Sequence, residues 1–361
     1  MKNVIIDVYK AGGLFSGLGQ FSVNFAQALM SAELSDKLSD ELSNVKFTLL
    51  VPPGFKLEMK PGFEFVEAGF RQRYFPVFSR RYDLWHSLHQ FPSHLPNRNT
   101  PRILTVHDLN FLVEKDGGKV EKYLKKLQKN VDRSVAITAI SNATKEVLEQ
   151  NIDMKGRPVT TIYNGVKLNA HPANQQPGYI TGAKYFFAIG VFKRKKNFEV
   201  LLPMMKFFPD HQLIIAGENA TDYGHFLRQK VDELGVEHQV VLPGKVTDED
   251  KDWLYNHCEA LMMPSMAEGF GLPVIEAMMA EKPVFLNSIK SLQEVGGSMA
   301  NYFDCFEGQA MANQILTQLT EHQIQNETDR DRLKTYANRF NWTACISQYL
   351  ALYSDMLRKK L

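Results

Sequence analysis

Thiols are scarce in this chain. Its 361 residues include three cysteines, Cys258, Cys305 and Cys345, odd in number, far apart and without a CxxC pair. That usage excludes a disulfide framework and a cysteine-based zinc site. Long apolar runs are missing too: none approaches the ~20 residues that span a bilayer. Residues 1–7 enter a strand-like pattern with no signal-peptide hydrophobic region, so the expected setting is a reducing cytoplasm. Net charge is nearly absent. The 42 Lys and Arg against 40 Asp and Glu leave +2, which gives no support to nucleic-acid binding. An apolar share of 44% with 23% charged residues excludes disorder as the main state. The length is enough for two domains, each with its own core.

What is present is alternation. Short β-type apolar runs fall at 4–8, 47–51, 84–87, 103–106, 136–140 and 159–162. Amphipathic stretches lie between them, with Phe21, Phe25 and Leu29 spaced to share one helix face and a second such pattern at 123–131. Around 168–183 the pattern lapses into Pro, Asn, Gln and Gly, a linker signal. It then restarts with strands at 185–189, 213–216, 240–242, 260–263 and 284–286, and with helices from Asn197, at 223–234, at 248–258 and from Pro273. Thr247 with Asp250 three residues on resembles a capping box. Residues 342–361 read as one amphipathic helix. Strands alternating with helices predict α/β domains on parallel sheets, and such sheets bind ligands at the carboxyl ends of their strands.

The segment richest in chemistry is residues 264–276, PSMAEGFGLPVIE. It follows a strand and opens a helix. Pro273 suits a first helical turn, where its missing N–H has no partner to lose. Gly269 and Gly271 permit close backbone approach, and the helix start favours a phosphate. Glu276 is expected in the first turn, where the dipole favours a carboxylate, and Glu268 in the loop facing the same space. Each feature alone also has a bland reading, as a tight turn or a first-turn charge.

Together, two glutamates seven residues apart with Gly-Phe-Gly-Leu-Pro between them resemble the E-x7-E signature of family 4 glycosyltransferases. The resemblance extends along most of the chain: Ser16-Gly17-Leu18-Gly19-Gln20, Thr105-Val106-His107-Asp108-Leu109, Ile140-Ser141-Asn142, Tyr163-Asn164-Gly165-Val166 and the stretch 190–197, GVFKRKKN, each match a family landmark. It implies a GT-B fold: two Rossmann-like parallel-sheet domains facing across a cleft. Residues 1–175 would be the acceptor-side domain and 176–340 the nucleotide-sugar donor domain, with 341–361 a helix packing back toward the first.

The resemblance also implies roles. Glu276 would hold the donor ribose hydroxyls as a double acceptor. Glu268, Phe270, Gly271 and Leu272 would hold the transferred sugar. Lys196 would neutralise charge on the leaving diphosphate, assisted by Lys195, and Gly19 would approach the phosphates from the first domain. His107 would touch the sugar near the reacting carbon, with Asp108 orienting it or capping the next turn. His86 and His89 could line the acceptor side. For His107 the alternative is a hydrogen-bonded structural histidine, and for Lys193 a solvated face. One departure stands out. Many family members carry an arginine where this chain has Val191, and either Arg194 or Lys195 would have to replace it.

The implied activity is a retaining, metal-independent transfer of a hexose from a GDP- or UDP-linked donor to a glycan or lipid-linked acceptor, in surface polysaccharide synthesis. The diphosphate sugar is a co-substrate, and no cofactor or metal is expected. Asp-x-Asp at 248–250 and 329–331 reads as helix capping. Arg71, Arg73, Arg80 and Arg81 interleave with Phe70, Tyr74, Phe75, Phe78 and Tyr82, and Lys122, Lys125, Lys126 and Lys129 recur at helical spacing. These faces could give peripheral contact with an anionic inner membrane face, or simply be solvated. The competing readings are a degenerate nucleotide-sugar-binding protein, which Val191 favours, and a GT-B nucleotide-sugar epimerase, which would not be expected to carry the E-x7-E block.

Overall fold

Apolar runs that are hidden on both faces become the central strands of two parallel sheets. The computed structural model describes residues 1–13, 17–31, 42, 44–58, 60–69, 82–167, 175–182, 184–321 and 327–358. The chain forms two compact units, Met1–Gly165 with Phe340–Leu361, and Val166–Arg339.

Unit 1 begins with β1 (Lys2–Asp7), α1 (Gly17–Leu29), β2 (Val45–Val51), β3 (Phe63–Glu67), β4 (Leu84–Ser87) and β5 (Arg102–Val106). It continues with α2 (Phe111–Glu114), α3 (Gly117–Asp132), β6 (Ala136–Ala139), α4 (Asn142–Asn151) and β7 (Val159–Thr161). The strand order is β3-β2-β1-β4-β5-β6-β7, all parallel, with Val4 level with Phe47 on one side and Leu84 on the other. β4 and β5 are buried along their whole length, which is why they read as continuous runs rather than as alternation. Phe21, Phe25 and Leu29 form the buried face of α1.

Unit 2 comprises β8 (Lys184–Ile189), β9 (His211–Ala216), α5 (Asp222–Leu234), β10 (Val240–Gly244), α6 (Asp248–His257) and β11 (Ala260–Met263). After these come α7 (Leu272–Met279), β12 (Val284–Leu286), α8 (Lys290–Gly296), β13 (Asn301–Tyr302), α9 (Gly308–Glu321) and α10 (Glu327–Ala337). The order is β10-β9-β8-β11-β12-β13, again all parallel. The chain then returns to unit 1 as α11 (Trp342–Arg358), whose Cys345, Ile346, Tyr349, Leu350 and Tyr353 join the core around Val4, Phe25 and Phe47. Asn341 caps this helix, its Oδ1 accepting from Ala344 N at 2.7 Å.

The structure departs from the sequence pattern at several points. No continuous helix starts at Asn197. Three short 3-10 turns, Arg194–Lys196, Phe198–Leu201 and Pro203–Phe207, take its place. Asn197 adopts a left-handed conformation with φ 56°, which breaks the helical path. Gly17, Leu18 and Gly19 form the first turn of α1. β3 and β13 went unanticipated. β3 is an edge strand carrying Glu64 and Glu67, and β13 is two residues long. Ser16, residues 168–174 and 183 of the 168–183 stretch, and Phe70, Arg71, Arg73, Tyr74, Phe75, Phe78, Arg80 and Arg81 lie outside the described residues.

Candidate active site

In each sheet, strand order reverses once: between β1 and β4 in unit 1, and between β8 and β11 in unit 2. At such a switch point the connections leave toward opposite faces, which opens a crevice at the strands' carboxyl ends. In unit 2 the two segments with the strongest sequence signals, 190–197 and 264–276, are the loops leaving β8 and β11. Parallel pairing of these strands brings the loops together.

Backbone and amide contacts bind the two loops. Met266 N donates to Lys195 O at 2.7 Å. Asn197 Nδ2 donates to Pro264 O at 3.3 Å, and Asn287 Nδ2, from the end of β12, donates to Ser265 O at 3.0 Å. On this frame Lys196 Nζ meets Glu268 Oε1 at 2.6 Å, and both side chains are only 12–13% exposed. The Lys196 side chain runs over Gly190. A Cβ built there would sit 2.7 Å from its Cε and 2.9 Å from its Nζ, so any side chain at 190 displaces the ammonium.

Gly271, with φ 109°, is the N-cap of α7, a conformation that suits glycine. Pro273 follows in the first turn. Glu276 is the fifth residue of α7 and not in its first turn, so the helix dipole does not place that carboxylate. Its placement comes from α6 instead. Lys251 Nζ donates to Glu276 Oε1 at 3.1 Å and Tyr255 Oη to Oε2 at 2.6 Å. The carboxylate pushes the Lys251 pKa up. Burial, then the carboxylate, pushes the Tyr255 phenol up. Each oxygen is thus anchored by one donor and keeps lone-pair capacity for another. Phe270 is 3% exposed, so its ring belongs to the core.

The sequence reading missed Lys251 and Tyr255. Their signal was present: four residues apart on a helix capped by Thr247, whose Oγ accepts from Asp250 N at 3.0 Å, they share one face. Nothing local aims that face at Glu276. Val191 is 37% exposed. Arg194, one of two candidates to replace the missing arginine, lies over the Phe226 ring at 4.9 Å.

In unit 1, His107 follows β5 and is 5% exposed. Its Nε2 donates to Leu88 O at 2.7 Å, leaving Nδ1 as the acceptor nitrogen of the neutral ring. Burial lowers its pKa. Gln90 clamps the segment, accepting from His107 N at 3.1 Å and donating to Asp108 O at 2.8 Å. Phe21 packs edge-on against the imidazole at 4.7 Å, which places the first turns of α1, with buried Gly19, near His107. Asp108 Oδ1 accepts from Asn110 N at 3.0 Å, the turn-capping option. His86 does not line an acceptor surface. It is fully buried, with Nδ1 2.6 Å from Tyr353 Oη and Nε2 2.8 Å from Thr105 Oγ1. His89 lies 6.1 Å from the His107 ring. No group of three His, Cys, Asp or Glu side chains suited to a metal occurs among the described residues. No described helix is long and apolar enough to cross a membrane.

A family model described as glycosyl transferases group 1 matches residues 172–340, and one described as glycosyltransferase family 4 matches residues 33–170. The chain is 28% identical over 193 residues to the O-antigen chain mannosyltransferase RfbU of Salmonella typhimurium, covering 53% of each protein. It thus spans about half of that relative's length. With O-antigen chain mannosyltransferase B of Escherichia coli the identity is 25% over 277 residues, 72% of each chain. Among solved structures, Anabaena HepE in complex with UDP-glucose superposes with a TM-score of 0.73 at 18% identity, over 98% of this chain and 100% of that one.

Proposed function

Because the chain belongs to the family 4 glycosyltransferases and has their GT-B fold, we propose that it is a retaining hexosyltransferase using a GDP- or UDP-linked sugar. Its acceptor would be a glycan or lipid-linked glycan in surface polysaccharide synthesis. The observation that carries this reading is the pairing at the unit 2 switch point. A half-buried lysine, Lys196, is held against Glu268, and a second carboxylate, Glu276, is aimed by Lys251 and Tyr255.

Glu276 would accept from the ribose hydroxyls and Glu268 from the transferred hexose. Lys196 would move from Glu268 to the diphosphate as negative charge builds on the leaving group, the step at which a fixed cation lowers the barrier most. The acceptor oxygen bonds to the anomeric carbon as the bond from that carbon to the phosphate oxygen breaks. The acceptor proton passes to that phosphate oxygen on the same face, which retains configuration. Lysine and the α7 amides, rather than a metal, would carry the diphosphate charge. The names of the mannosyltransferase relatives support a mannose donor and envelope polysaccharide; the UDP-glucose bound by HepE supports a uridine donor.

A thermal-shift screen of nucleoside diphosphates and their sugars tests the donor site. A donor with Kd one-hundredth of its concentration stabilises the fold by about 2.7 kcal/mol. Glu276→Ala should weaken donor binding by about 1–3 kcal/mol. Equal shifts in the wild type and the variant would remove Glu276 from the site. The exposed Val191, where an arginine is common in the family, keeps one second reading, a nucleotide-sugar-binding protein without transfer. Slow donor hydrolysis in the absence of acceptor separates the two, since only a transferase releases nucleotide.

A further inference from the structure

A cavity lies in unit 1 at the amino end of β5, the end opposite His107. It measures about 660 Å3 and is bounded by the 96–100 loop, the start of β5 and the end of α3. Arg102 opens β5 and His107 follows its end. At ~3.3 Å per residue the two lie ~16 Å apart along the strand. The volume is that of a small-molecule site.

Its lining is electrostatically one-sided. Arg98, Arg102, Lys129 and Arg133 face a single carboxylate, Asp132. That carboxylate is already engaged: Lys155 Nζ lies 2.7 Å from Asp132 Oδ1 and Arg157 Nη2 3.7 Å. Among the described residues no acidic side chain pairs with Arg98, Lys129 or Arg133. Arg102 is 1% exposed and donates only to neutral oxygens, Ser134 Oγ at 3.1 Å and Asn130 O. A buried guanidinium without a counter-charge is costly. Burial and the neighbouring Arg133 pull the Arg102 pKa down to about 10.

The ordinary explanation for cations at a helix end is the dipole, whose negative pole lies there. At the end of α3 that need is met by other groups. Arg102 donates to Asn130 O, and Arg157 Nη1 donates to Val131 O at 2.8 Å and Ser134 O at 2.7 Å. Lys129 and Arg133 are therefore surplus to capping and point their charge at the cavity. Three unpaired cations over a fourth, buried one fit a ligand carrying at least two negative charges. Val135, 37% exposed on the wall, offers an apolar contact beside them.

We propose that this cavity binds a phosphate-bearing ligand, with a diphosphate or two neighbouring phosphates bridging Arg98, Lys129 and Arg133, at a site separate from the donor site of unit 2. The ligand is either a soluble phosphorylated compound or the headgroup of an anionic lipid. The two sources present the same group to the same cations.

The test uses the full-length protein and a Lys129→Ala/Arg133→Ala variant, with inorganic pyrophosphate followed by calorimetry and vesicles containing phosphatidylglycerol followed by sedimentation. Lys125→Ala is the control, since Lys125 is exposed and already paired with Glu121 at 2.6 Å. A soluble ligand predicts at least a tenfold loss of pyrophosphate affinity in the double variant, with salt-sensitive binding in the wild type and no change in Lys125→Ala. A lipid headgroup predicts that vesicle binding falls tenfold in the double variant and not in the control. Nucleoside-diphosphate-sugar binding stays at the wild-type level in either case. If neither probe distinguishes the double variant from the wild type, the proposal is overturned. Arg98→Ala, in the loop across the cavity, repeats the measurement without touching α3, so a folding defect in the double variant leaves the test intact.

Discussion

Tyr255 and Lys251 show how a single carboxylate is made specific. Glu276 is fixed by one phenol and one ammonium, so its remaining lone pairs present a constant geometry. Removing the phenol leaves the charge but loosens its direction. Tyr255→Phe should lower donor affinity by about 0.5–1.5 kcal/mol, measured by titration with the nucleotide sugar, while keeping ring packing against Phe187 at 5.1 Å. An unchanged affinity would mean that Lys251 alone positions Glu276.

Buried titratable residues in unit 1 set a pH dependence with opposing signs. Burial holds His86 and His89 at a pKa of about 3, with the nearby His107 adding to the effect, and lowers His107 itself. Their unfolded value is ~6.5, so the unfolded state takes up protons first and stability falls as pH drops below ~6.5. Asp7 behaves oppositely. Burial outweighs the Tyr9 hydrogen bond and raises it to about 7, against ~3.9 unfolded, so protonation on the native side adds stability as pH falls from about 7 toward 4. Three groups against one predict net loss of Tm between pH 6.5 and 4. Asp7→Asn removes the offset and should steepen that slope by up to about 1.4 kcal/mol per pH unit. A shallower slope in the variant would reverse the assignment for Asp7.

At the scale of elements, α6 is more than a connection between β10 and β11. It starts at the Thr247 cap and carries Lys251 and Tyr255 to Glu276. Thr247→Ala should cost about 1 kcal/mol of stability, read by urea denaturation, and should weaken donor binding as well because the same helix aims Glu276. A loss of stability with donor affinity intact would separate α6 from the site. Much at this scale was legible beforehand. β4, β11 and β12 fall where apolar runs indicated, since buried parallel strands leave a continuous signature. The Asn197 region was not legible. Its residues have no strong helix breaker before Pro203, and only the left-handed turn at Asn197, which brings its amide to Pro264 O, divides the segment.

At the scale of the whole molecule, the chain crosses between units twice. Unit 2 is one continuous stretch, whereas unit 1 is completed by α11 after the chain has left it. Cys345, Ile346, Tyr349, Leu350 and Tyr353 are all at most 3% exposed in that core. At ~1.5–3 kcal/mol for each large apolar side chain buried, their loss is on the order of a domain's whole stability. Truncation after Arg339 should therefore unfold unit 1 and leave unit 2 folded. Limited proteolysis would then leave a protected fragment beginning near Val166. Resistance of unit 1 in the truncated chain would contradict that prediction.

The sequence by itself determined the fold class, the alternation of strands and helices, and the E-x7-E block with Lys196 nearby, because each of these rests on periodicity or on residues close together in the chain. Only the tertiary structure decided what those residues touch. Strand order put the loops after β8 and β11 side by side, so Lys196 meets Glu268 across 72 residues. It also withdrew the helix dipole from Glu276 and supplied Lys251 and Tyr255 in its place. The same packing took His86 into the core beneath Tyr353. Side-chain partners separated by tens of residues leave no local mark, since the free energy that selects them arises only when the sheet brings them within hydrogen-bond reach.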